Sequence, residues 1–268
     1  MEQDVIISPD GTQEYFINMG PQHPSTHGVL RLVLTIDGEI IEKVEPHLGY
    51  IHRSIEKMCE KDNYRQIIHL TDRMDYLSAH INNHAVCLTI ENALQVEIPD
   101  RAKYIRIIMD ELTRIYSHSL WWGVMGMDLG AITSFLYGFR DHEHITEIFE
   151  ETCGARLTMN YNVPGGVMFD LHPNFVPRVK EFIKDFKEKL VEYDTLLSGN
   201  IIFLERTKGV GILSKEDAIS FGVTGPTGRA SGFSCDVRKK EPYGIYDQVD
   251  FNEILYSEGD TFSRYKAR

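Results

Sequence analysis

Hydrophobic and polar positions follow two different periods along the chain. Near the N-terminus the pattern is that of strands. Glu14 to Met19 reads as a short strand, and Gly20 to Gly28 (GPQHPSTHG) is a loop dense in Pro, Gly and Ser/Thr. The apolar runs Val29 to Ile36 and Glu39 to Val44 flank Asp37-Gly38, a strong hairpin signal. After Pro46 the period changes to that of helices. His52 to Lys61 is a short candidate, and Tyr76 to Leu94 a longer one with Leu77, Ile81, Leu88 and Ile90 near helical spacing. Pro99-Asp100 opens another, through Ile105, Ile108, Leu112 and Ile115.

Ser119 to Phe139 imitates a membrane span, but it carries Asp128 as its only charge, between Gly126 and Gly130. An ionised Asp at mid-bilayer costs about 2.5–3.5 kcal/mol, so the stretch reads as two buried helical pieces broken around Met127-Asp128-Leu129. Arg140 to Cys153 is amphipathic and stops at Gly154; Phe175 to Leu197 is amphipathic with Lys and Glu outward. Ser214-Lys215-Glu216-Asp217 resembles a capping box. Thr224 to Gly232 reads as a glycine-rich loop, and the last residues show no clear stop. No internal repeat is evident. The pattern is α+β: a small N-terminal antiparallel sheet, residues 1–46, on a mostly helical body, residues 47–268.

Composition adds exclusions. The net charge of −12 argues against a general nucleic-acid binder, which needs clustered Lys and Arg, and against broad contact with anionic lipid. MEQDVIISPDG has neither a basic nor an apolar leader region. Cys59, Cys87, Cys153 and Cys235 are scattered, with no CxxC pair, which argues against a disulfide framework and against an iron–sulfur or zinc site held by this chain alone.

The candidate chemistry is concentrated in a few places. His23 and His27 lie on one constrained loop, where two imidazoles suit proton transfer near neutral pH; the same segment also reads as a polar turn. Tyr76 follows Asp75 where a loop becomes a helix, so it is either a hydrogen-bonding acid or a packing residue. Asp128, as a buried carboxylate, is expected to find a partner such as a His. His80 and His84 have metal-ligand spacing on a helix, but Ile81 stands where a zincin needs Glu, and core or capping roles fit better than a zinc hydrolase. The glycines at 209–211 and 224–232 match neither a Walker loop nor a Rossmann turn.

The segments GPQHPSTHGVLRL (20–32), HLGYIHRSIEK (47–57), DRMDYL (72–77), MDLGA (127–131) and RASGFSCDVRK (229–239) occur in an order and spacing that resemble one family. It is the D-type subunit of the proton-translocating NADH-quinone oxidoreductase, respiratory complex I, related to the large subunits of nickel–iron hydrogenases. The resemblance covers essentially the whole chain and implies a hydrogenase large-subunit-like body. Asp72 to Leu77 occupies the region of a hydrogenase CxxC pair without a cysteine, so no nickel–iron centre is expected.

The resemblance further implies that the cavity holds a quinone headgroup. His27 and Tyr76 would hydrogen-bond the quinone carbonyls, Asp128 would pair with His27, and His23 would line the pocket. Arg53 would lie beside the 4Fe-4S cluster of the neighbouring B-type subunit. The implied partners are the B-type and C-type subunits and other complex I subunits, with peripheral placement at the cytoplasmic face of the bacterial plasma membrane. Two departures stand out. Thr158 replaces a His that in many members couples the cluster potential to pH, and Val163 replaces an Arg, which implies a lower, less pH-dependent potential suited to menaquinone. Family members also continue beyond Arg268, so a fragment or a shortened reading frame is expected. The competing readings are a hydrogenase-like large subunit of another energy-converting complex and a non-catalytic scaffold.

Overall fold

The strands come first in the chain and pair with their sequence neighbours. The computed structural model describes residues 4–7 and 13–268, so that of the opening MEQDVIISPDG only Asp4–Ile7 is covered. Strands β1 (Asp4–Ile7), β2 (Gln13–Met19), β3 (Arg31–Asp37) and β4 (Ile40–His47) form an antiparallel sheet in the order β1-β2-β3-β4. The β3–β4 hairpin pairs Asp37 with Ile40, so Gly38-Glu39 are the turn residues, one position later than the expected Asp37-Gly38. Gly38 supplies the positive φ (59°) that a two-residue turn needs. Pro46 does not end the strand pattern as expected. It pairs with Leu32 inside β4, which is possible because β4 is an edge strand and loses no ladder bond on its outer side. A short helix follows, α1 (Ile55–Lys61).

By its contacts the chain divides into two units, Met1–Lys61 and Asp62–Arg268. The second unit is helical: α2 (Ile68–Thr71), α3 (Ala79–Leu94), α4 (Asp100–Asp128), α5 (Ile132–Cys153), a small hairpin of β5 (Asn162–Val163) and β6 (Gly166–Val167), then α6 (Phe175–Tyr193), α7 (Ile201–Thr207), α8 (Lys215–Ser220), α9 (Gly225–Ala230), α10 (Val237–Lys240) and α11 (Thr261–Ala267). The molecule is α+β, as the periodicity indicates.

Helices α4 and α5 form the centre. The expected separate pieces after Ser119 are the end of α4 and the start of α5, and the break falls at Leu129–Ala131, slightly after the expected position. Gly130 takes φ 90° there. The two helices approach through small residues. A Cβ on Gly138 would stand 2.6 Å from the Ser119 carbonyl oxygen, and one on Gly126 would meet Ser134. Ile105, Met109, Leu112 and Tyr116 lie on one face of α4, at helical spacing, and pack against Ile145, Ile148 and Phe149 of α5 and Phe175, Val179 and Phe182 of α6. Each such side chain contributes about 1.5–3 kcal/mol by leaving water. A second cluster joins Trp122 to Tyr193, with stacked rings 3.8 Å apart, beneath Phe203 and Tyr265.

Gly154 caps α5 in the left-handed region, and Ser214 caps α8 by accepting from the Asp217 amide, both as expected. Thr224 to Gly232 is not a loop throughout: Gly225–Ala230 is helix, with Pro226 in its first turn where a missing N–H costs nothing. Its Gly228 is required by contact, since a Cβ would lie 2.8 Å from the Val223 carbonyl. The chain end is likewise ordered, as α11.

Candidate functional site

In the first unit the loop between β2 and β3 holds two histidines in defined conformations. Gly20 turns at φ 90°, with the Leu30 carbonyl where its Cβ would be. Pro24–Thr26 form a single 3-10 turn capped by His23, whose Nδ1 accepts from the Ser25 amide at 3.1 Å. Because Nδ1 is an acceptor, the neutral ring carries its proton on Nε2, and His23 presents a donor from that edge. Thr26 is buried and donates its amide and its hydroxyl to the His23 carbonyl. His27 closes the turn in the left-handed region, with φ 49° and an exposed ring. His23 and His27 are thus held on one turn, and the strain of a non-glycine at positive φ is concentrated at His27.

Arg53 lies in the same unit, exposed, just before Ser54 at φ 54°. Its neighbour His52 accepts from the Ser54 amide through Nδ1, 3.1 Å, and its Nε2 lies 3.2 Å from Glu56. Leu48 (82% exposed) and Ile51 (73%), which precede Arg53 in sequence, leave their apolar side chains uncovered.

The second unit places Tyr76 on a 3-10 turn, Tyr76–Ser78, directly before α3, with the side chain 51% exposed. Asp75 is extended and makes no side-chain cap, although an Asp at a loop-to-helix junction is a common cap. The buried carboxylate of this segment is Asp72, 1% exposed, which accepts from Asn83 Nδ2 at 2.5 Å. Burial pushes Asp72 up to about 6, against the opposing pull of the Asn83 hydrogen bond. Asp72 opens the DRMDYL segment, but neither it nor Asn82 and Asn83 is marked by periodicity as a candidate for chemistry. An adjacent Asn pair in a helical stretch, close after two aspartates, is a weak sequence signal for them.

Asp128 is not buried as expected. It is the last residue of α4 and exposed, because the helix stops there and turns through Leu129–Ala131. The expected pairing of Asp128 with His27 joins one residue from each unit. Thr158 is half-buried on the segment linking α5 to the β5–β6 hairpin, and Val163 ends β5. Tyr76, Asp128 and Thr158 therefore stand on three different elements of the second unit.

His80 and His84 point to separate partners. His80 is buried between Phe149 and Tyr161, with ring centroids 4.9 and 5.9 Å away, and burial lowers it to about 3. His84 Nδ1 lies 2.6 Å from Asp110 Oδ2, both buried, and burial pushes the Asp110 carboxyl up while His84 opposes. Both are core histidines. Among the described residues no group of three or more His, Cys, Asp or Glu could hold a metal ion, and all four cysteines are free thiols.

Residues 128–268 match the model of the respiratory-chain NADH dehydrogenase 49 kDa subunit. The D-type subunit of NADH-quinone oxidoreductase from Bacillus cereus is 51% identical over 257 residues, covering 96% of this chain and 70% of the relative. This chain belongs to the 49 kDa subunit family of the respiratory-chain NADH dehydrogenase. Two relatives named as C/D-type subunits of NADH-quinone oxidoreductase are similar over almost all of it. That of Bacteroides thetaiotaomicron is 58% identical over 99% of this chain and 52% of its own, and that of Phocaeicola vulgatus 59% identical over 100% and 51%. The chain thus spans about half the length of these two relatives. No helix among the described residues is long and apolar enough to cross a membrane.

Proposed function

We propose that this chain forms part of NADH-quinone oxidoreductase as its D-type, 49 kDa subunit, lining the pocket in which quinone is reduced. The observation that carries the reading is the extended similarity to proteins of that name, together with a β2–β3 loop built to hold two histidines at fixed orientation. An iron–sulfur cluster in the neighbouring B-type subunit would supply the electrons. Quinone takes up two electrons and two protons, and both carbonyl oxygens become hydroxyls. His27 supplies one proton through its ring N–H and Tyr76 the other through its hydroxyl, and both are restored from water. Asp128 pairs with His27, and proton loss from this pair starts the conformational change coupled to proton translocation. His23, whose Nδ1 is taken by the Ser25 amide, lines the pocket.

Arg53 stands beside the cluster as a fixed positive charge. The uncovered Leu48 and Ile51 near it in sequence suit a protein contact, since apolar side chains exposed together mark interaction surfaces. The B-type and C-type subunits are the partners, and the chain is peripheral at the cytoplasmic face of the membrane. Thr158 and Val163, in place of ionisable side chains near the cluster, lower its potential and reduce its pH dependence, which suits a low-potential quinone such as menaquinone. A strongly pH-dependent potential in an EPR redox titration contradicts that last point.

The experiment for the pocket is photolabelling. A photoreactive short-chain quinone is irradiated with membranes containing the assembled oxidoreductase, and the labelled peptides are mapped. Labels within residues 20–28 and 72–78, reduced by excess unlabelled quinone, support the assignment. Labels confined to other subunits overturn it.

A further inference from the structure

The turn that carries Tyr76 is fastened by two consecutive asparagines of α3. Asn82 Nδ2 donates to the Asp75 carbonyl at 2.8 Å, the peptide immediately before Tyr76. One residue on, Asn83 Nδ2 reaches three acceptors at the end of α2: the Ile68 carbonyl at 3.2 Å, Thr71 Oγ1 at 3.0 Å and Asp72 Oδ1 at 2.5 Å. Asn83, Thr71 and Asp72 are buried, whereas Tyr76 itself is half exposed. A half-exposed side chain on a single 3-10 turn has little packing of its own to fix it. The place of its hydroxyl is inherited from the chain before it, where Asn82 holds the backbone at 75 and Asn83 holds the Ile68 carbonyl and the Asp72 side chain.

Asp72 raises the stake. Among the described residues no Lys or Arg forms an ion pair with it; the charged or titratable groups facing it are His69 and Arg73 on its own segment, with the Asn83 amide from α3. Arg73 is itself turned back to the His69 carbonyl at 2.7 Å. If the Asn83 donor is lost, a buried carboxyl and a buried hydroxyl lose their common partner, and such groups seek water. The end of α2 is then drawn outward, and the turn bearing Tyr76 moves with it. An ångström of displacement at a reacting group is enough to cost one to two orders of magnitude in rate.

We infer that Asn83, together with Asn82, is a positioning residue for Tyr76, holding the phenol where it meets the quinone. This rests on the proposed role of Tyr76. It predicts a loss confined to turnover: a displaced proton donor lowers kcat while the rest of the site still binds the ring, leaving KM little changed.

The test uses membranes containing the assembled oxidoreductase, with quinone reduction expressed per assembled complex and NADH–ferricyanide activity as the measure of assembly. Asn83→Leu is expected to lower kcat for quinone at least about tenfold with KM within about threefold. Asn82→Ala, which removes one partly exposed hydrogen bond, is expected to lower kcat about threefold. In a Tyr76→Phe background Asn82→Ala costs nothing further, because the hydroxyl it positions is gone. Asp72→Asn, whose amide oxygen still accepts from Asn83, recovers most of what Asp72→Leu loses. A merely structural role reduces the amount of complex and leaves kcat per complex unchanged, and that result overturns the inference. If Asn83→Leu does not assemble, Asn82→Ala decides, and an unchanged kcat overturns it. Tyr76→Phe at wild-type rate removes the proposed role of Tyr76 and this inference with it. A slow Tyr76→Phe beside unaltered Asn82→Ala and Asn83→Leu removes this inference alone.

Discussion

Replacing Glu91 tests how the β5–β6 hairpin is held. Arg106 is fully buried on α4, and its guanidinium meets Glu91 of α3 in a bidentate pair, Nη1 to Oε2 at 2.9 Å and Nη2 to Oε1 at 2.6 Å. The same guanidinium donates to the Gly166 carbonyl from Nε and Nη2 and to the Val163 carbonyl from Nη2, and Glu91 Oε1 accepts from the Gly165 amide at 2.7 Å. Two helices and the hairpin thus share one buried ion pair. Glu91→Ala leaves the Arg106 charge buried with carbonyl partners alone. Breaking such a pair from one side costs about 3–5 kcal/mol, and each 1.4 kcal/mol is about tenfold in an opening equilibrium. Hydrogen–deuterium exchange on the assembled complex should therefore show amides of the hairpin, Gly165 among them, exchanging faster by about 10² to 4 × 10³. Glu91→Gln keeps one acceptor and the shape, and its effect should be smaller, about 1.5–3 kcal/mol. Exchange in Glu91→Ala within a factor of about three of wild type would refute the view that this pair anchors the hairpin.

Two further outcomes follow from the core. Burial holds His80 neutral, with a folded value of about 3 against an ordinary 6.5. Its contribution to stability is complete above about pH 6.5 and is lost as pH falls toward 3, at up to about 1.4 kcal/mol per pH unit; His80→Leu should flatten the acid side of the melting-temperature profile, and an unchanged slope counts against it. Gly138→Ala puts a methyl 2.6 Å from the Ser119 carbonyl, so α4 and α5 must separate. A loss of about 1–3 kcal/mol in thermal stability is expected despite the better helix propensity of Ala, and a gain would contradict the close crossing.

Local patterns revealed much of this architecture, and contacts distant in sequence revealed the rest. The hairpin around Gly38, the stop of α5 at Gly154 and the start of α8 at Ser214 each depend on residues within a turn of each other. The helix at Gly225–Ala230 was hidden because only Gly225 turns, at φ 64°, whereas Gly228 serves packing against the Val223 carbonyl. Pro46 looked like a breaker because edge position is a property of the sheet order and not of the strand. Asp128 looked buried because apolar residues surround it in sequence, yet it is the end of α4 that they flank. The histidine loop is legible as chemistry, but the support of the Tyr76 turn is not. Asp72 and the asparagines that hold it come together only when α2 folds against α3, and no spacing along the chain announces that.

Quinone reduction by Tyr76→Phe membranes, with NADH–ferricyanide activity as control, tests the central claim most directly. The account predicts a fall of at least about tenfold, equivalent to about 1.4 kcal/mol of barrier, with ferricyanide reduction intact. Equal quinone reduction by variant and wild type would contradict it and leave Tyr76 as a packing residue.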